Sequence, residues 1–225
     1  MSVLSDSGLT ERSFDSSSTS SGELSQLIEH YLTLSAWDER SARFFPNDRL
    51  DQLVTHENIL RQLDECDIKG GELLELLNFV HEHAKRIFLI MVDGGFEDDS
   101  LREGLCLFMR FQFTDDDLPM RVPNWNTNRR FKDPLQEPFK DAFWSRSKVR
   151  KFFDHQWTFN VPTFRTSTEW YNLEPETIFP FISKSGLPNE GAFSKVFRVS
   201  IHPAHLEWIG VRSLNWGWHS ILLIF

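Results

Sequence analysis

The stretch Asn189-Glu190-Gly191-Ala192-Phe193-Ser194-Lys195-Val196-Phe197-Arg198-Val199 decides how this chain is read, because its small residues mark a loop closed between two strands. Gly191 has no side chain, so the backbone N–H groups beside it are open to close approach by a ligand. Asn189 visits positive φ more readily than other non-glycine residues, and Ser194 is small. Phe193 falls at the tip of the loop. Downstream, Val196, Phe197, Val199 and Ile201 read as a strand, and residues 178–182 read as the strand leading in. Taken alone, an ordinary β-hairpin with a glycine in its turn accounts for the same residues.

The chain has 225 residues, 40% of them hydrophobic and 14% aromatic with 21 Phe, enough to bury a sizeable core. A net charge of −9 and the lack of a basic stripe interleaved with aromatics set nucleic acid aside. The two cysteines, Cys66 and Cys106, carry no metal spacing and read as buried thiols of a reducing compartment. The N-terminus lacks an apolar signal core, and the longest apolar run, Ile87 to Val92, is too short to span a bilayer. No membrane partner and an intracellular, cytoplasmic location are therefore expected.

Residues 1–22 hold the run Ser16-Ser17-Ser18-Thr19-Ser20-Ser21 and are expected to form a disordered tail with serines open to phosphorylation. Over 23–34, Leu24, Leu27, Ile28, Tyr31 and Leu32 recur at helical spacing. A second helix is expected over 51–63, with Leu53, Ile59, Leu60 and Leu63 inward. From 71 to 92 apolar residues cover more than one face, which predicts one long, largely buried helix stopped by Asp93-Gly94-Gly95. Ser100 with Glu103 forms a capping box for a helix carrying Leu101, Leu105, Phe108 and Met109, and Asp115-Asp116-Asp117-Leu118-Pro119 ends it as a turn. Asp133, Pro134 and Gln136 mark the start of a helix carrying Phe139, Phe143, Val149 and Phe153. Residues 156–177, with Pro162 and Pro175, read as an extended connector.

Aligned on Val196, the pattern G-x-G-x-x-G-x-V places Asn189, Gly191 and Ser194 at its three glycine positions, and so resembles the glycine-rich loop that opens a protein kinase domain. Earlier elements extend the likeness over roughly residues 56–205. They are Phe79-Val80-His81-Glu82-His83-Ala84-Lys85-Arg86-Ile87-Phe88-Leu89-Ile90, then Asp117-Leu118-Pro119, then Phe153-Asp154-His155-Gln156-Trp157-Thr158-Phe159 with Pro162, and finally Ile201-His202-Pro203. In that order they resemble the helical region and first strands of a large group of fungal protein-kinase-like proteins. The resemblance implies that Asn189, Gly191, Ala192, Phe193, Ser194 and Val196 face ATP, the loop folding over the phosphates and Val196 covering the adenine. It implies that full-length relatives use ATP and Mg²⁺ to phosphorylate protein Ser/Thr, and that the helical region is regulatory or binds a protein partner.

The catalytic groups of such an enzyme are missing. No lysine follows Lys195 and no aspartate follows Asp154, so the part after the loop supplies no phosphate lysine, catalytic Asp or metal-binding Asp. Lys195 itself is expected to point to solvent. Residues 206–225, with three tryptophans and only Glu207 and Arg212 as fixed charges, match nothing in a kinase. We expect a frame change or retained intron to account for them, and spliced transcripts ending as written would defeat that expectation.

Other constellations carry bland readings. His81 and His83, two residues apart on a helix, point about 200° apart and cannot share one ion. They are expected to be structural, and His202 and His205 are expected at the surface after a strand. The clusters Glu97-Asp98-Asp99 and Asp115-Asp116-Asp117 lack the spacing of a calcium loop and read as solvated helix ends.

The expected architecture is α+β: a tail over 1–22, a helical region over 23–155, a connector over 156–177, a partial kinase-like N-lobe over 178–205 and an atypical tail over 206–225. The competing class is a non-enzymatic helical interaction module in which the hairpin is only a structural end.

Overall fold

Apolar residues three and four apart fold the first two thirds of the chain into helices, and β-branched and aromatic residues form the strands that follow. The computed structural model describes residues 20–37, 41–63, 70–121, 136–165, 171–190, 195–207 and 220–224, with the backbone alone for 20, 21, 70, 186–190, 195, 196 and 220–224. The described residues make an α+β protein. Its helices are α1 (Ser20–Tyr31), α2 (Leu50–Leu53), α3 (His56–Leu63), α4 (Gly70–His83), α5 (Lys85–Asp93), α6 (Asp98–Arg110) and α7 (Arg146–Phe159). The expected tail falls outside the described residues up to 19, and its last residues, 20–22, belong to α1.

α5 is the centre of the helical body. Ile87 to Val92 are all buried, and α1, α4, α6 and α7 pack around them. This is the packing an all-round apolar helix requires. The single helix expected over 71–92 is instead two, broken at Ala84, whose φ of −139° and ψ of 38° are not helical. The break is held from outside. Asp115, 28 residues beyond Ile87, accepts hydrogen bonds from the Arg86 N–H at 2.9 Å and the Ile87 N–H at 3.0 Å, capping the start of α5. Asp115 is thus a tertiary cap rather than a solvated helix end. Burial raises its pKa, and the two N–H donors and Arg86 oppose that rise.

The helix expected over 51–63 is also two. Val54 leaves the helical region, and the Thr55 hydroxyl accepts from the Asn58 N–H at 3.2 Å, starting α3 afresh. At α6 the cap is Glu97 in extended backbone, so Ser100 and Glu103 lie inside the helix and form no capping box. The helix expected from Asp133 begins only at Arg146, where Ser145 accepts from the Lys148 N–H at 3.3 Å. Asp133 and Pro134 lie outside the described residues, and Gln136 precedes a 3₁₀ turn, Glu137–Lys140, that buries Phe139. α7 then runs to Phe159, so the connector starts later than expected.

The stop at Asp93-Gly94-Gly95 is as expected. Gly95 has φ +65°, its N–H bonds the Val92 carbonyl, and the Phe96 N–H bonds the Met91 carbonyl, both at 2.9 Å. α6 ends the same way without a glycine. Gln112 takes φ +52°, the Phe113 N–H bonds the Phe108 carbonyl at 2.9 Å, and the two phenyl rings stack 5.2 Å apart.

Two quoted motifs meet in the core. Gln156, fully buried on α7, accepts from the Met120 N–H at 2.6 Å and donates to the Met120 carbonyl at 2.9 Å, so the residue after Leu118-Pro119 is paired as if by a strand. Buried backbone polar groups need such partners.

The strands are β1 (Thr33–Leu34), β2 (Arg43–Phe44), β3 (Phe164–Arg165), β4 (Phe181–Glu190), β5 (Lys195–Ile201), β6 (Leu206–Glu207) and β7 (Ser220–Ile224). β1 and β2 pair antiparallel, β3 and β6 pair parallel, and β4, β5 and β7 form an antiparallel sheet in that order. A second core of Phe164, Phe181, Val199 and Ile201 lies against this sheet. No helix among the described residues is long and apolar enough to cross a membrane.

Gln156→Ala leaves the Met120 N–H and C=O buried without partners and is expected to cost about 2–4 kcal/mol in urea unfolding. Gln156→Glu, which sets a buried carboxylate against the Met120 carbonyl, is expected to cost at least as much at neutral pH and less as pH falls. Gln112→Gly relieves the left-handed backbone at α6 and is expected to stabilise by about 1 kcal/mol, read as a raised denaturation midpoint.

Candidate functional site

β4 and β5 pair antiparallel from Phe181↔Ile201 to Glu190↔Lys195, so the predicted hairpin forms, with its first strand at Phe181–Glu190 rather than at 178–182. The register sets Asn189 opposite Val196. Gly191, Ala192, Phe193 and Ser194 connect the strands in sequence and lie outside the described residues, as does the side chain of Lys195. The pairing is irregular twice. Between Phe181 and Ser183 the extra residue is Ile182, 44% exposed, and between Ser185 and Asn189 the slip includes Gly186 and Pro188. Proline has no N–H for the ladder, which is the physical reason pairing lapses there.

The base of the hairpin is fixed by a segment far away in sequence. The Ala36 N–H donates to the Phe181 carbonyl at 2.6 Å, and the buried Ser35 hydroxyl donates to the Phe179 carbonyl at 2.7 Å. Trp37 meets Phe179, Phe181 and Phe197 edge-on, with centroids 5.3–5.7 Å apart. Such aromatic pairs contribute about 0.5–1.5 kcal/mol each beyond their burial. Lys184 stands opposite Val199, so it shares the core-facing side of the sheet, and its Nζ lies 4.4 Å from the Trp37 ring and 4.2 Å from Phe197. Sequence reasoning sought a lysine only after the loop and passed over Lys184. Trp37 stood outside any periodic pattern and gave no signal.

The end of β5 is locked to the helical body through His205. Expected at the surface, His205 is fully buried, and His202 is half-buried. The reason is the turn Pro203–His205, which carries the chain back under Phe44. The Phe44 ring meets His202 at 5.7 Å and His205 at 5.5 Å, both edge-on. The Asn47 N–H donates to His205 Nε2 at 3.3 Å, the Asn47 amide donates to the Thr163 hydroxyl at 3.1 Å, and Arg86 donates to the Asn47 carbonyl oxygen at 3.3 Å. Burial drives the His205 pKa down to about 4, helped by His202, against the pull of the Pro162 and Phe45 carbonyls. Burial lowers His202 as well.

His81 stacks on His56 at 4.3 Å, whereas His83 is exposed beside Glu82. Among the described residues no group of three or more His, Cys, Asp or Glu is placed to hold a metal ion. A cleft of about 380 Å³ lies away from the hairpin, lined by Glu29, Arg43, Asp93, Asp154, His155 and Ile178 among others. In it His155 Nδ1 is 2.7 Å from Asp93. Cys106 is half-buried, and Cys66 lies outside the described residues.

His205 binds a proton near 6.5 when unfolded and only near 4 when folded, so the unfolded chain holds more protons between these values. Stability is present above pH 6.5 and falls as pH drops toward 4, by up to about 1.4 kcal/mol per pH unit. Urea unfolding across that window is expected to show this slope, and His205→Gln is expected to flatten it.

Comparison with models of known protein families, with curated proteins and with solved structures finds no match for this chain.

Proposed function

We propose that the chain is a catalytically silent, protein-kinase-like protein: a hairpin that faces ATP through Asn189, Gly191, Ala192, Phe193, Ser194 and Val196, mounted on a helical body. The observation that carries this reading is the strand order. β4 and β5 pair antiparallel on either side of the segment containing Gly191, and β7 joins β5 antiparallel on its other side, while β6, between them in sequence, pairs with β3. A glycine-rich loop needs that arrangement, because its backbone N–H groups reach phosphates only when both flanking strands are anchored in a sheet.

The same strand order explains the silence. The place of the third strand, where a kinase carries its phosphate lysine, falls to Ser220-Ile221-Leu222-Leu223-Ile224, which has none. Lys184, on the first strand, is engaged by Trp37 and Phe197. Phosphoryl transfer depends on positioning and charge neutralisation, so nucleotide contact through the loop comes without turnover. Full-length relatives with the missing lysine and aspartates would use Mg²⁺ and ATP to phosphorylate Ser/Thr.

A second reading, a helical interaction module that binds a protein partner, is favoured by the separate core of the helical body, which among the described residues runs from Leu24 to Phe159 and includes none of the β4–β5–β7 sheet. Thermal unfolding with added ATP, with and without Mg²⁺, separates the two. Nucleotide at ten times its Kd is expected to stabilise the chain by about 1.4 kcal/mol. Gly191→Val is expected to abolish the shift, and labelled ATP is expected to yield no phosphorylated product. A wild-type chain whose melting ignores nucleotide would leave the helical module as the reading.

A further inference from the structure

The sheet β4–β5–β7 has two outer edges, and the chain treats them differently. On the β4 edge the ladder is interrupted twice, Pro188 removes a donor, and the Phe181 carbonyl is already taken by the Ala36 N–H. Bulges, proline and covering segments are the devices by which proteins stop an edge from pairing. Among the described residues β7 has none of them. It pairs with β5 through five successive residues without a slip, from Ser200↔Ser220 to Val196↔Ile224. Its sequence, Ser220-Ile221-Leu222-Leu223-Ile224, contains no charge, proline or glycine. Among the described residues no strand pairs with the far side of β7.

Successive residues of a strand alternate between the two faces of its sheet, so an unbroken apolar strand is apolar on both. An open edge of that composition is the kind that pairs with another strand unless it is blunted. We propose that β7 pairs antiparallel with the β7 of a second copy of this chain, about a twofold axis at Leu222. Two three-stranded sheets then become one of six strands.

The choice of occupant follows from the strand itself. Selecting a foreign strand needs charged or polar positions that reject wrong partners, and β7 offers Ser220 alone. An identical strand is complementary without them. The twofold sets Ser220 against Ile224 of the second copy and Ile221 against Leu223. Because the contact is isologous it consumes both β7 edges, and the six-stranded sheet then ends, among the described residues, in the two interrupted β4 strands, so assembly through this sheet stops at two copies. A five-residue edge is small beside stable interfaces of about 1,200 Å² or more, and each copy carries a net charge of −9. The dimer is therefore weak, and added salt strengthens it by screening the repulsion. None of this depends on the hairpin facing a nucleotide.

The test uses the full chain with Cys66 and Cys106 replaced by serine and one new cysteine at a time in β7. In an antiparallel pair only the residue on the twofold faces its own mate. Leu222→Cys is expected to form a disulfide-linked dimer under mild oxidation. Ile221→Cys and Leu223→Cys are expected to do so roughly tenfold more slowly alone, yet to cross-link each other when mixed. Sedimentation equilibrium of the unmodified chain is expected to rise with concentration and salt toward twice the monomer mass, and Leu222→Lys to remain monomeric. If Leu222→Lys fails to fold, the cysteine pattern alone decides. A chain monomeric at every concentration, equal cross-linking at all three positions, or growth beyond two copies would each overturn the proposal.

Discussion

The segment from Thr33 to Arg49 belongs to two cores at once, and the placement of everything after residue 160 depends on it. Trp37 is packed among the rings of the sheet, whereas Phe45 lies in the helical core against Phe159, 5.3 Å away. Between them Phe44 meets His202 and His205. Phe44 and Phe45 are both buried because consecutive residues of extended chain face opposite ways, Phe45 into the helical core and Phe44 toward His202 and His205. Backbone bonds fix the path: the Phe45 N–H donates to the Thr158 carbonyl at 2.8 Å, and the Ala36 N–H donates to Phe181. The sheet is thus held by a strip of chain that the helical core itself immobilises.

Around that strip, several buried polar groups are satisfied by distant partners. Asp115 caps α5, Gln156 pairs with Met120, and His205 takes the Asn47 N–H. Each joins residues 28 to 158 positions apart, and the Gln156–Met120 pair is the most expensive to break because the backbone groups left behind are buried. Exposed ion pairs such as Arg61–Glu57 and Arg150–Asp154 carry much less, since solvent already serves those charges. The specificity of the fold therefore resides in a few buried polar contacts set among many rings.

For function, the consequence is a hairpin held firmly at its base. Ser35, Ala36 and Trp37 hold β4 near Phe181, and His205 holds the end of β5. The pairing slips at Gly186–Pro188 separate that base from the loop residues around Gly191. A glycine-bearing loop on a fixed support can present backbone N–H groups to an anionic ligand without ordering the whole sheet first.

Local spacing alone gave the helical content, the stop at Asp93-Gly94-Gly95, the hairpin and the strand from Val196 to Ile201, because each is set by residues within one turn or one ladder of each other. The breaks at Ala84 and Val54, the start of α7 at Arg146 and the burial of His205 were not legible. The break at Ala84 and the burial of His205 are decided by Asp115, Phe44 and Asn47, distant contacts of which a helical or strand period carries no trace, whereas Val54 and Arg146 are set by local Thr55 and Ser145 caps that outweigh apolar periodicity. The sequence by itself determined where the glycine-bearing turn and its flanking strands fall, since small residues and β-branched or aromatic runs mark them locally. Only the tertiary structure decided which residues support them, because long-range burial, not local propensity, selects the partners of Trp37, Gln156 and His205.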